Sequence, residues 1–200
     1  MTKRFEFLFD VGGPNGYLVH RVLPKLCEEA GAEAVYVPIL LGAVFKATGN
    51  RAPMVRYADA PAKRDYEMLE FRRFIAANGL IDFRMNPNFP VNSLLAMRVI
   101  VAAERMGVGA RCIESLMTAM WEQGAKLDEA DVCRAALDAA GLDGAALMAL
   151  GDDVSVKAEL VANTERAVAR GVFGIPTFFV GDEMFWGKER LPQLREALAA

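Results

Sequence analysis

The sequence predicts an α/β fold: a four-stranded mixed sheet with helices on both faces, carrying a large all-helical insertion in its middle. Three observations point there. A β-α-β pattern occupies residues 5–40, an α-β-β-α pattern occupies residues 153–200, and the segment between them, from about 61 to 150, is almost wholly helical in its apolar spacing.

Phe5–Val11 and Ala34–Leu40 are short, rich in β-branched and aromatic residues, and bounded by Gly and Pro, the pattern of buried strands. Between them Gly12-Gly13-Pro14-Asn15-Gly16 turns the chain and Tyr17-Leu18-Val19-His20 opens a helix. Proline suits the first helical position because its missing N–H would have no intrahelical partner. Leu18, Val22, Leu26 and Ala30 recur at four-residue spacing on that helix. Pro24 frees the His20 carbonyl and predicts a kink or break, and Gly31 is the expected C-cap. A βαβ unit implies parallel strands and a right-handed crossover. Residues 42–60, with Gly42, Gly49, Asn50 and Pro53, read as a polar loop.

In the helical block, Tyr66 to Asn78 is one helix, stopped at Asn78-Gly79. Arg84 to Pro90, with two prolines, is a loop. Ser93 to Met106 is nearly all apolar, so it should be central. Cys112, Ile113, Leu116, Met117, Met120 and Trp121 then form an amphipathic stripe. Asp128 is the expected cap of a further helix closed by Gly141. The methionines sit at stripe positions and read as core filler.

Residues 153–170 form a helix that stops at Gly171. Gly174-Ile175-Pro176 leads into Thr177–Val180, a Gly181-Asp182 turn and Glu183–Trp186, which together predict a hairpin with a two-residue loop. A last helix carries Leu191, Leu194 and Leu198. Side by side, the two sheet-bearing halves make the thioredoxin-like arrangement: residues 1–58 plus 165–200 form the thioredoxin-like domain, and 59–164 the helical insertion. The proline entering the third strand is a second marker of this fold, in which that X-Pro bond is usually cis.

Composition narrows the function. With 54% hydrophobic and 24% charged residues the chain can build a real core, and a net charge of −3 with no aromatic–basic interleaving argues against nucleic acid. No apolar run reaches the ~18 residues of a membrane span, and no signal-peptide core follows Thr2-Lys3-Arg4, so a cytoplasmic protein without a membrane partner is expected. The cysteines, Cys27, Cys112 and Cys133, are widely spaced and fall in helical patterns, so reduced, inert core residues are expected; with His20 the single histidine, no metal site is expected. The opening turn is different. A strand feeding a helix that begins with proline aims backbone N–H groups, and the positive end of the helix dipole, at one spot, a ready site for an anion or a thiolate.

Four stretches in order, Phe9–Leu18, Lys46-Ala47-Thr48-Gly49-Asn50, Val172–Thr177 and Gly181–Leu191, resemble the 2-hydroxychromene-2-carboxylate isomerases, a family grouped with kappa-class glutathione transferases and DsbA-type oxidoreductases. The resemblance implies glutathione at the opening turn, with the thiolate adding to a conjugated aromatic carboxylate, allowing bond rotation or ring opening, and leaving again. It also implies a homodimer. Taken residue by residue, it places Gly13 where the family has its catalytic serine, with Asn15 as the candidate replacement donor. Pro14, Asn50, Ile175, Pro176 and Gly187 fall at glutathione-binding positions, as do Lys188 and Glu189, where the γ-glutamyl end is held and where relatives commonly carry a small polar residue and Asp. Lys46 resembles a basic residue near the acidic substrate. The oxidoreductases carry cysteines at the positions of Gly13 and Gly16, so disulfide exchange is excluded for this chain. A glutathione-dependent isomerase is therefore the expectation; a kappa-type transferase and a non-catalytic thioredoxin-fold binding protein are the alternatives.

Overall fold

The computed structural model describes residues 3–199; Met1, Thr2 and Ala200, and with them the expectation about the segment before the first strand, lie outside the described residues. Four strands, β1 (Lys3–Phe9), β2 (Ala32–Pro38), β3 (Thr177–Val180) and β4 (Glu183–Trp186), form one sheet in the order β2-β1-β3-β4. β1 and β2 are parallel, whereas β3 runs antiparallel to both β1 and β4, which is the mixed thioredoxin-like sheet. The first two strands begin and end two residues earlier than their apolar runs suggest. In β1, Phe5, Phe7 and Phe9 point into the larger core and Leu8 into the smaller, the period-two alternation of a sheet covered on both faces. Glu6, on the second face, is paired with Arg170.

Helix α1 (Pro14–Ala30) starts directly on the turn after β1 and runs unbroken past Pro24, so the expected break is absent. It ends at Gly31, whose φ of 59° lets its N–H reach the carbonyls of Cys27 and Glu28. Residues 42–60 are less loop-like than their composition suggests. They contain α2 (Leu41–Thr48), whose Val44 is buried, and the short α3 (Pro53–Arg56). Packing of Val44 on the second sheet face outweighs the weak helix propensity of this glycine-bearing stretch.

The insertion comprises α4 (Pro61–Ala77), α5 (Leu94–Arg105), α6 (Gly109–Trp121), α7 (Ala130–Ala139), α8 (Gly144–Gly151) and the start of α9 (Val154–Ala169). Helix α4 begins five residues before Tyr66, with Pro61 in its first turn. Helix α7 is flanked by Glu129 rather than Asp128. Helix α8 was not foreseen: its short Ala/Leu/Met run has little periodicity, but Asp143 caps it by accepting from the Ala146 N–H. Helix α5 is buried along most of its length. Helix α9 crosses residue 164 without interruption; Val156 and Leu160 join the insertion's core, and Ala167 joins the core beneath the sheet. Helix α10 (Leu191–Ala199) closes the chain, burying Leu194 and Leu198 beside α1. Among the described residues no helix is long and apolar enough to cross a membrane.

Cys112 and Cys133 are buried and Cys27 half-buried. Burial pushes the Cys112 and Cys133 thiols up to about 12 and about 11, so neither ionises near neutrality.

The outer face of α1 joins the insertion through a polar chain. His20 Nδ1 meets the Tyr36 hydroxyl at 2.9 Å and its Nε2 meets Glu114 at 2.9 Å, while Arg21 donates to Glu114 at 2.5 Å, to Thr118 at 2.8 Å, and to Glu122. The His20 hydrogen bond and then Arg21, working against desolvation, hold the Glu114 carboxyl at about 2, below its usual 4.5. A depressed carboxylate adds stability above its unfolded pKa and loses it as pH falls through the folded one. Urea unfolding should therefore show the protein weakening between pH 4.5 and about 2, with that loss reduced in Glu114→Gln.

Candidate functional site

The opening turn is built from buried hydrogen bonds that reach across the whole molecule. Asp10, just after β1, is 1% exposed and has no cation partner among the described residues. Its Oδ1 accepts from the Gly12 N–H at 2.8 Å, and its Oδ2 accepts from the Leu41 N–H at 2.8 Å and the Ser93 hydroxyl at 2.9 Å. One carboxylate thus ties together the turn, the start of α2 and the entry to α5. Burial raises its pKa, opposed by the N–H groups of Leu41 and Gly12 and by the Ser93 hydroxyl. Next door, Trp121 Nε1 donates to the Val11 carbonyl at 2.8 Å, and the Val11 N–H lies 3.3 Å from the Met97 sulfur. The insertion holds the turn from behind.

Gly13 is the N-cap of α1 and offers no side chain to the first helical turn. Its own N–H donates to the Asp10 carbonyl at 3.1 Å, and its carbonyl accepts from Gly16 and Tyr17 at 2.9 and 3.3 Å. Pro14 has no N–H. The Asn15 N–H is then the first-turn donor without a partner among the described residues. Asn15 Oδ1 is buried and likewise unpartnered among those residues. Directly across, the Ile175–Pro176 peptide is cis, as expected, and the main chain of Ile175 forms no hydrogen bond with the described residues.

These groups line a cleft of about 240 Å³ between the sheet-bearing half and the insertion. Gly12 to Asn15 form one side and Gly174 to Pro176 another, with Trp186, Gly187, Lys188 and Glu189 beyond. Facing them are Asn50 to Pro53, Arg56 and Tyr57, then Arg64, Glu67, Met68 and Phe71 of α4, while Met85 and Phe89 come from the proline loop. That loop is held by the buried Asn86, whose amide donates to the carbonyls of Met120 and Ala125 at 2.9 and 2.8 Å. Trp186 tilts against Phe173, ring centroids 4.8 Å apart.

The sequence-derived site residues divide unequally. Gly13, Pro14, Asn15, Asn50, Ile175, Pro176, Gly187, Lys188 and Glu189 all line the cleft. Lys46 does not: it is exposed in the last turn of α2. Asn50 ties loop to loop, its Nδ2 donating to the Phe173 carbonyl at 2.8 Å and its Oδ1 accepting from Arg56 at 3.2 Å. Lys188 is 5% exposed, pairs with Glu189, and has its Nζ 5.8 and 5.7 Å from the ring centroids of Phe71 and Phe74.

Arg51, Arg56 and Arg64 were missed by the sequence reading. All three line the cleft. A signal for them existed: between Arg51 and Arg64 stand four basic residues against one acid, Asp59. With the α1 N-terminus opposite, they make this end of the cleft favourable to anions.

A DsbA-like thioredoxin domain model matches residues 4–199. The chain is 29% identical over 197 residues to a 2-hydroxychromene-2-carboxylate isomerase of Pseudomonas putida, covering 96% of this chain and 93% of that one. It is 26% identical over 209 residues to glutathione S-transferase kappa 1 of Caenorhabditis elegans, covering 98% and 90%. A solved 2-hydroxychromene-2-carboxylate isomerase superposes with a TM-score of 0.83 at 29% identity, over 98% of this chain and 94% of the other.

Proposed function

Because the chain belongs to the DsbA-like thioredoxin-domain family, we propose that its cleft binds glutathione with the sulfur at the Gly13 turn and that the protein isomerises an anionic aromatic substrate there. The observation that carries the reading is the pair of unpaired main-chain elements facing one another across the cleft: the Asn15 N–H at the start of α1, and Ile175. A main-chain N–H and C=O left free at the entry to β3 suit a short peptide laid alongside. The isomerase and kappa-transferase relatives support the same class of chemistry.

Bound glutathione would supply a sulfur nucleophile able to add to a conjugated system and leave it again. The chain's own part is to hold and to bias. The Asn15 N–H and the α1 dipole favour the ionised sulfur, since a thiol of ordinary pKa near ~8.5 falls at a helix N-terminus. Ile175 aligns the peptide, while Lys188 and Glu189 meet its γ-glutamyl end and Gly187 gives that end room. Asn50 braces Phe173 and holds Arg56, so its role is to position Arg56 rather than only to touch the tripeptide. Arg51, Arg56 and Arg64 take the substrate carboxylate, the part the sequence suggested for Lys46.

Turnover of 2-hydroxychromene-2-carboxylate, followed by absorbance, should proceed with glutathione far below the substrate concentration. Consumption of one glutathione per substrate would identify a transferase instead, the alternative supported by the kappa relative. Failure of turnover at any glutathione concentration would refute both.

A further inference from the structure

The main chain does not require glycine at position 13. Its φ of −101° and ψ of 116° are ordinary extended values that any residue adopts. Space at position 13 is taken by the end of the Ile175 side chain, which must move to admit another side chain. A Cβ built on Gly13 would lie 2.5 Å from Cδ1 and 3.3 Å from Cγ1 of Ile175. A Cβ on Gly16 would lie 3.6 Å from the same methyl and 3.3 Å from the Asp10 carbonyl. The δ-methyl of Ile175 therefore packs onto the two glycines at the start of α1, filling the place of a side chain at position 13.

From this we infer that Ile175 is a specificity-determining residue: its δ-methyl substitutes for a position-13 side chain and makes the lining of the sulfur subsite apolar, so that a thiol there meets a methyl group and main-chain N–H rather than a hydroxyl. The inference rests on the glutathione reading for its chemistry, but the exchange of space between residues 13 and 175 stands apart from it. A hydroxyl added at position 13 takes up its place beside the sulfur only where the δ-methyl is displaced or removed. Ile175→Val removes that one methyl and keeps the β-branch.

The test is a cycle of Gly13→Ser, Ile175→Val and the double variant, read in two ways. With bound glutathione, thiolate absorbance in the ultraviolet is titrated against pH. The double variant should lower the bound thiol's pKa by about one unit relative to the wild type, a tenfold rise in thiolate fraction below the pKa, with Gly13→Ser alone giving little of that shift. Equal shifts in Gly13→Ser and the double variant would overturn the inference. The melting temperature is measured without any thiol: Gly13→Ser should lower it and adding Ile175→Val should restore it, whereas a Gly13→Ser protein as stable as the wild type would overturn the exchange of space. Should none of the four proteins bind glutathione, the proposed function fails, and the melting temperatures still decide the packing between residues 13 and 175.

Discussion

Asp10→Ala should be the most destabilising single change near the cleft, lowering the free energy of unfolding by about 3 kcal/mol in urea titrations. The wild-type carboxylate accepts from two main-chain N–H groups and a hydroxyl, all at 2.8–2.9 Å. Alanine leaves the half-buried Gly12 and Leu41 N–H groups without their acceptor, at roughly 1–2 kcal/mol each, while the Ser93 hydroxyl can rotate. Some of that cost is offset because an unpaired buried carboxylate is itself expensive. The burial that raises its pKa makes the folded state hold its proton longer than the unfolded chain does. Asp10 thus contributes most at low pH, and its contribution declines as pH rises from the unfolded value of 3.8 through the folded one. Asp10→Asn should remove that decline, cost less than alanine near neutrality, and leave one donor facing the amide nitrogen.

The second large effect concerns substrate. Arg56→Ala combined with Arg64→Ala should reduce kcat/KM for an anionic aromatic substrate by about 100-fold, with most of the change in KM. A hydrogen bond to a charged group contributes about 1.5–3 kcal/mol, which is on the order of 10- to 100-fold for each arginine that touches the carboxylate. Because both side chains are exposed at the cleft rim, the double variant should melt close to the wild type. Lys46→Ala, outside the cleft lining, should leave kcat/KM within about twofold. If Lys46 mattered and the arginines did not, the substrate carboxylate would have to lie outside the cleft lining, beside the last turn of α2.

The parts of the fold legible in the sequence were those with a strong local signature. Phe5 to Val11 announces a buried strand, Gly31 a helix end, and Gly181-Asp182 a hairpin; each stands within two residues of its expected place. Elements made by tertiary contact were not legible. Helix α2 exists because Val44 packs beneath the sheet, and α8 has no polar–apolar period to betray it. The two ends of the cleft show the same division. That Gly13, Asn15, Ile175 and Lys188 meet at one cleft was legible because motifs at opposite ends of the chain contain them. Arg51 lies in the loop after α2, Arg56 ends the short α3 and Arg64 stands in the first turn of α4, all outside those motifs, and only the folding of these segments beside the turn brings them to the cleft. Asp10 stands two residues before the glycines, but its ties to Leu41 and Ser93 span 31 and 83 residues and leave no local pattern.

Calorimetric titration of the protein with glutathione tests the central claim most directly, because substrate identity does not enter it. Saturable binding of one glutathione per chain is predicted, weakened when Lys188→Ala alters the γ-glutamyl end and accompanied by proton release above that of free glutathione at neutral pH as the sulfur ionises at the Gly13 turn. An absence of heat up to millimolar glutathione, or binding unchanged by Lys188→Ala with no proton release, would contradict the account.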